Sequence, residues 1–198
     1  MRIIGFQRFT LYDLIIIASL SAIGLAMKPI ISPMISMISG PLRMPGGSLS
    51  GGFYMMWLAL ARVIVNKPGS ATMFGLTQGI TVMLIGFFGS HGVFSVVSYT
   101  LPGLMVDLIA IFFRGYSLFI LCLYSIVANV TGTVVVAVVV MQLPFIMIAI
   151  SMTSSVLSGM MGGYLAEMVF VRLKKYKIVE LDVSTTPYPS SMEGNIED

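Results

Sequence analysis

Charge is what this sequence has least of. Only 10% of its 198 residues are Asp, Glu, Lys or Arg, whereas a soluble domain carries about a quarter. Lipid has to take over where water would otherwise demand charge. Apolar runs of roughly 18 or more residues recur along the chain, which is 57% hydrophobic with a mean hydropathy of +0.99. Because helices satisfy their own backbone groups in lipid, the reading is an all-α integral membrane protein. The polar breaks between runs are too short for linkers, so residues 1–177 form one transmembrane domain. A polar tail over 178–198, with Pro187, Pro189 and several serines, reads as disordered.

Cysteine and histidine are equally scarce, with Cys122 and His91 the single examples. One of each leaves no intramolecular disulfide, no CxxC redox pair and no His or Cys cluster for zinc or haem-like sites. Neither HExxH nor GxxxxGK[ST] occurs, so no cofactor and no metal is expected. The net charge of +3 and pI near 9.1 do not indicate nucleic acid, because the basic residues are scattered over short loops. The opening MRIIGFQRFTLYD has no small-residue cleavage site after its first apolar run, which therefore reads as a retained first helix.

Six spans are expected: about Leu11–Met27, Gly52–Val65, Ala71–Phe88, Val93–Phe113, Ser117–Val140 and Phe145–Val171. Asn66-Lys67-Pro68-Gly69 and Gln142-Leu143-Pro144 supply turn signals, and Pro102 should kink the fourth span or mark its effective start. An even number of spans puts both termini on one side. Arg2, Arg8, Arg62, Lys67, Arg114, Arg172, Lys174, Lys175 and Lys177 fall on that side, and only Lys28 and Arg43 on the other. By the positive-inside rule both termini are cytoplasmic.

The long stretch from Lys28 to Trp57 between the first two spans then faces outward. It is rich in proline and glycine and reads as a long loop with its Gly46–Gly52 run at membrane depth. A helix starting there would aim free N–H groups at a bound carboxylate or phosphate, although the glycines equally allow tight turning and packing. Three acids lie in or beside spans, and all fall toward the cytoplasmic ends: Asp13, Asp107 seven residues before Arg114, and Glu167 five before Arg172. Pairing with nearby Arg, Lys or a neighbouring helix is the favoured reading, with proton or cation coupling as the rival.

The outward half contains no carboxylate. Lys28, Arg43 and His91 supply positive or switchable charge there. Gln78, Tyr99, Asn129 and Gln142 supply neutral hydrogen bonds, and Phe53, Tyr54 and Trp57 supply stacking surface. Such a set suits an anionic or neutral ligand with a ring and suits a cation poorly. Each member also has an ordinary reading, as an interfacial aromatic, a helix-gluing amide or a solvated loop residue. Ala18, Ala22 and Ala26 recur every fourth residue along one face of the first helix, where small side chains let another helix approach closely. Spacing leaves open whether that helix is internal or belongs to another subunit.

Catalysis is poorly supported. The one enzymatic alternative is an intramembrane serine hydrolase using Ser50 with His91, but Ser48-Leu49-Ser50-Gly51-Gly52 is not a GxSxG elbow. Binding or transport fits better, with energy supplied by another subunit. A membrane subunit that only scaffolds a complex is a third possibility.

These features together resemble the substrate-binding S components of energy-coupling factor (ECF) vitamin transporters. The likeness covers about residues 8–175. It rests on six helices, the outward stretch between the first two, and the Ala18, Ala22, Ala26 strip, which is similar to the AxxxA motif of that family. Asn66-Lys67-Pro68-Gly69-Ser70-Ala71 and the helix after it resemble the hydroxymethylpyrimidine (thiamine-precursor) branch in particular. Where members binding cationic thiamine-type ligands tend to carry an acid, the third helix here has Gly75, Gln78 and Val82, which argues against thiamine itself. The resemblance implies a non-enzymatic subunit of a bacterial or archaeal plasma membrane. It would capture a vitamin-like molecule from outside, dock through the first helix on a transmembrane T subunit, and draw on two partner ATPases.

Overall fold

The computed structural model describes residues 9–42, 44–86 and 92–176, and these are helical throughout, with no β-strand among them. In chain order the helices are α1 (Leu11–Ala26), α2 (Lys28–Ser39), α3 (Gly46–Val65) and α4 (Ser70–Ile85). After these come α5 (Phe94–Phe112), α6 (Leu118–Val135, continued by a π-helical turn over Val136–Val140) and α7 (Phe145–Lys175). Arg43, His91 and the 178–198 tail lie outside the described residues.

Four of these helices, α3, α5, α6 with its π-turn, and α7, are long and apolar enough to cross a membrane. A fifth span results if α1 and α2, bent by 44° at Met27, count as one. The apolar α4 has 16 residues, or about 24 Å of rise, a little short of a ~30 Å hydrocarbon core.

Three expectations need correcting. Lys28–Ser39 is helix α2, not loop. Its Pro29 sits in the first turn, where a missing N–H costs nothing. The helix also carries Pro33, and the Ser36 hydroxyl donates to the Ser32 carbonyl at 2.7 Å. The Gly46–Gly52 run is likewise helical and forms the first two turns of α3, so the second span begins six residues earlier than expected. Pro102 lies eight residues inside α5 and does not mark its start.

The glycines of α3 are a packing surface. A Cβ on Gly52 would overlap the Ser158 carbonyl of α7, and one on Gly162 would overlap the Gly52 carbonyl. Helices thus approach at backbone distance, the mode that lipid favours. Hydrogen bonds lock the crossing: Ser158 Oγ donates to Leu49 O at 2.6 Å and accepts from Gly52 N at 3.0 Å. With α6 and α7 along one side and α1, α2 and α4 on the other, α3 is the central helix. Leu58 and Leu60 of α3, Phe74, Val106, Leu121 and Phe170 fill the core around it. Large apolar side chains such as Leu84, Phe112, Phe119 and Phe145 are left pointing outward, as expected for a surface solvated by lipid.

One end of the bundle is tied by charge. Arg62 Nε of α3 lies 3.1 Å from Asp107 Oδ1 of α5, with Arg62 buried and Asp107 partly so. The other Asp107 oxygen accepts from the Thr72 amide at 2.8 Å and hydroxyl at 2.7 Å, joining the start of α4. Beside it Thr10 and Asp13 cap α1 reciprocally, and Lys67 pairs with Asp13 across the α3–α4 turn. Asp13 and Asp107 therefore follow the pairing reading. Glu167, half-buried on α7, forms no ion pair among the described residues.

Candidate ligand cavity

At the opposite end, where α3 begins, the helices diverge around a cavity of about 320 Å³. Lys28, Ser32, Ile35 and Ser36 enter it from α2, Gly46, Gly47, Ser50, Gly51, Tyr54 and Met55 from α3, and Gln78 from α4. Ser98 and Tyr99 come from α5, and Asn129, Gly132, Thr133 and Val136 from α6 and its π-turn. Met44, Pro45 and Met141 complete the lining.

Lys28 dominates the electrostatics. Only 7% of it is exposed, and its ammonium donates to the Tyr99 hydroxyl at 2.6 Å. That ammonium also lies 3.9 Å from the Tyr99 ring centroid and 5.4 Å from that of Tyr54. Phenol rings and hydroxyls solvate a cation without neutralising it. The bend after α1 creates this arrangement. Lys28 is the first residue of α2, so the turn at Met27 aims it back over α3 and α5.

The amides are placed by helix contacts. Asn129 Nδ2 donates to the Ser155 carbonyl at 2.9 Å, which directs Oδ1 toward Gly51. A side chain there would collide with it. Gln78 Nε2 reaches the Ser21 carbonyl of α1 at a long 3.4 Å. At the entrance of α3, Pro45 provides no side-chain cap, and the amides of Gly46 and Gly47 have no hydrogen-bond partner among the described residues. A Cβ on Gly47 would meet nothing within 4 Å.

Of the nine candidate ligand residues, the structure gathers five in this cavity: Lys28, Tyr54, Gln78, Tyr99 and Asn129. Two stand elsewhere. Trp57 packs beside Gly24 of α1 with its indole N–H buried and without a partner among the described residues, and Gln142 is exposed in the turn before α7 at φ +49°. Arg43 and His91 lie outside the described residues. Sequence reasoning missed Ser32 and Ser36. Both follow Lys28 at helical spacing, a signal hidden by taking that stretch as loop. Ser50 spends its hydroxyl on the Gly46 carbonyl at 3.0 Å, and no His, Asp, Glu or Cys is among the described lining residues.

On α1 the face carrying Ala18, Ala22 and Ala26 is exposed, while Ile17, Ser21 and Gly24 turn inward. The strip packs against nothing else in the described bundle.

Residues 12–135 match the family described as the ABC-type cobalt transport system, permease component. A crystal structure described as an S-component of an ECF transporter shares the fold, with a TM-score of 0.71. Its identity to this chain is 16%, over 86% of this chain and 88% of that one. No curated protein matches the chain. Apolar helices in a transport-permease family make this a multi-pass protein of the plasma membrane.

Proposed function

From the premise that this chain belongs to the family of the permease component of an ABC-type cobalt transport system, we propose that it is the substrate-capture subunit of an ATP-driven ECF-type importer. A vitamin or vitamin precursor enters the cavity from the outer face and is passed inward once the protein docks, through α1, on a T subunit served by two ATPases. The single observation that carries this reading is the cavity around the buried Lys28, lined by both polar and apolar side chains and set among helices that otherwise face lipid.

The topology follows the charge count. Six spans arise when the bent α1–α2 pair is taken as one and α4 as another, with both termini cytoplasmic and the cavity end outside. The exposed alanine face is the docking surface. Within the S components, the Asn66–Ala71 turn favours the hydroxymethylpyrimidine, or thiamine-precursor, branch.

The cobalt in the family description does not fit this cavity as a bare ion. Divalent cobalt calls for imidazole, thiolate or carboxylate ligands, and the described lining residues include none of these while presenting an ammonium. An organic cargo fits better.

Uptake measurements test the reading. Ala22→Leu should leave ligand binding by the purified protein intact and abolish uptake by the assembled transporter. Unimpaired uptake in that variant would remove α1 as the docking surface. Failure of the purified protein to retain any small molecule would remove the capture role.

A further inference from the structure

The cavity carries a charge that nothing in the described bundle cancels. Three carboxylates occur among the described residues, and two are committed elsewhere, Asp13 to Lys67 and Asp107 to Arg62. The third, Glu167, stands on the far half of α7. Lys28 has hydroxyl and ring contacts only. A buried charge inside a membrane is costly unless paired, so an ammonium with no counter-ion in the wall of a cavity calls for a partner in the space it faces.

A second feature acts in the same direction. The 20-residue α3 begins at the cavity edge with two unbonded amides, Gly46 and Gly47, and no side-chain cap. The helix start concentrates partial positive charge there, and the bare Cα of Gly47 leaves the approach open. Around these groups stand acceptors and donors of neutral character, Gln78, Asn129, Ser98 and Tyr54, together with the Met55 and Val136 side chains. Such a wall suits an uncharged ring.

Resting on the capture reading above, and not on the branch that the Asn66–Ala71 turn favours, we infer that the cargo is an organic anion, a ring-bearing carboxylate or phosphate monoester. Its acidic group bridges the Lys28 ammonium and the free amides of α3, and its ring lies toward Gln78 and Asn129. A cationic cargo would bring like charge against Lys28 in a low-dielectric site.

The test exposes the full-length protein in detergent to a small-molecule extract of cells, removes unbound material, and identifies the retained compound by native mass spectrometry with fragmentation. The inference expects a compound anionic at neutral pH, with carboxylate or phosphate read from its fragments. Lys28→Met should weaken its binding by about 100-fold, without lowering the melting temperature of the empty protein. Gly46→Pro should weaken it by about 10-fold. Proline is preferred at the first helical position, and Pro45 already has the extended backbone (φ −58°, ψ 125°) that must precede one, so that variant removes an N–H and spares the helix.

A retained neutral or cationic compound overturns the anion inference and leaves the capture role standing. An anion held as tightly by Lys28→Met as by the native protein also overturns it. Retention of nothing at all overturns both.

Discussion

Arg62 and Lys28 are both buried cations on helices that meet at α3, and each is 7% exposed or less. Arg62, near the end of α3, faces Asp107, whose other oxygen accepts from the Thr72 amide and hydroxyl. Lys28, beside the start of α3, faces phenols and an open cavity of about 320 Å³. About 24 Å of helix separates the two ends, from Gly46 to Arg62. At the first end Arg62 has its own counter-ion, and the pair joins three helices. At the second, donors and positive charge have been gathered and left unanswered. A buried charge with its own counter-ion serves the fold, while one without it, on the capture function we propose, serves whatever the cavity admits.

Mutation should separate these two kinds of cation. The largest loss is expected for Asp107→Ala, which strands Arg62 in the interior. Stability should fall by about 3–5 kcal/mol, read as a drop in melting temperature in detergent, and an Arg62→Met/Asp107→Leu pair should regain most of it. If Asp107→Ala melts like the native protein, the closed end is not closed by charge.

Next comes Gly51→Ala, whose methyl must displace Asn129. Overpacking of this kind costs about 1–3 kcal/mol, and ligand binding should be lost with it. Retention of binding would mean that Asn129 is free to turn away from the cavity. Lys67→Ala should cost less, about 0.5–1 kcal/mol, because the Lys67–Asp13 pair is partly exposed. The smallest change in the stability of the empty protein is expected for Lys28→Met, at or above the native melting temperature. A fall there as large as that of Asp107→Ala would erase the distinction between the two ends.

How much of this was legible beforehand depended on whether a residue's role is local. Span positions in α1, α5 and α7 follow from apolar runs, and the observed helices agree with them to within about a turn at each end. Asp13, Asp107 and Arg62 were placed together at one end by their distance from span ends. The alanines at 18, 22 and 26 declared a common face through their spacing, though only the bundle shows that this face is left uncovered.

The stretch from Lys28 to Gly52 was misjudged because proline and glycine oppose helix in water. Here Pro29 falls in a first turn and the glycines face a neighbouring backbone, conditions that local propensity does not contain. Trp57 and Gln142 looked like ligand residues by type. Trp57 instead packs against Gly24, and Gln142 occupies a left-handed turn.

By itself the sequence determined that the chain lives in lipid, that it is helical, and that its basic residues are distributed unequally between the two ends of the spans. Those properties depend on composition and on the order of residues along single helices, and solvent acts on them one segment at a time. Only the tertiary structure decided that Lys28, Tyr54, Gln78, Tyr99 and Asn129 share one cavity. They come from five helices, and their meeting depends on a 44° bend at Met27 and on glycines that let α3 and α7 touch backbone to backbone. Contacts between helices set those distances, and no single helix contains them.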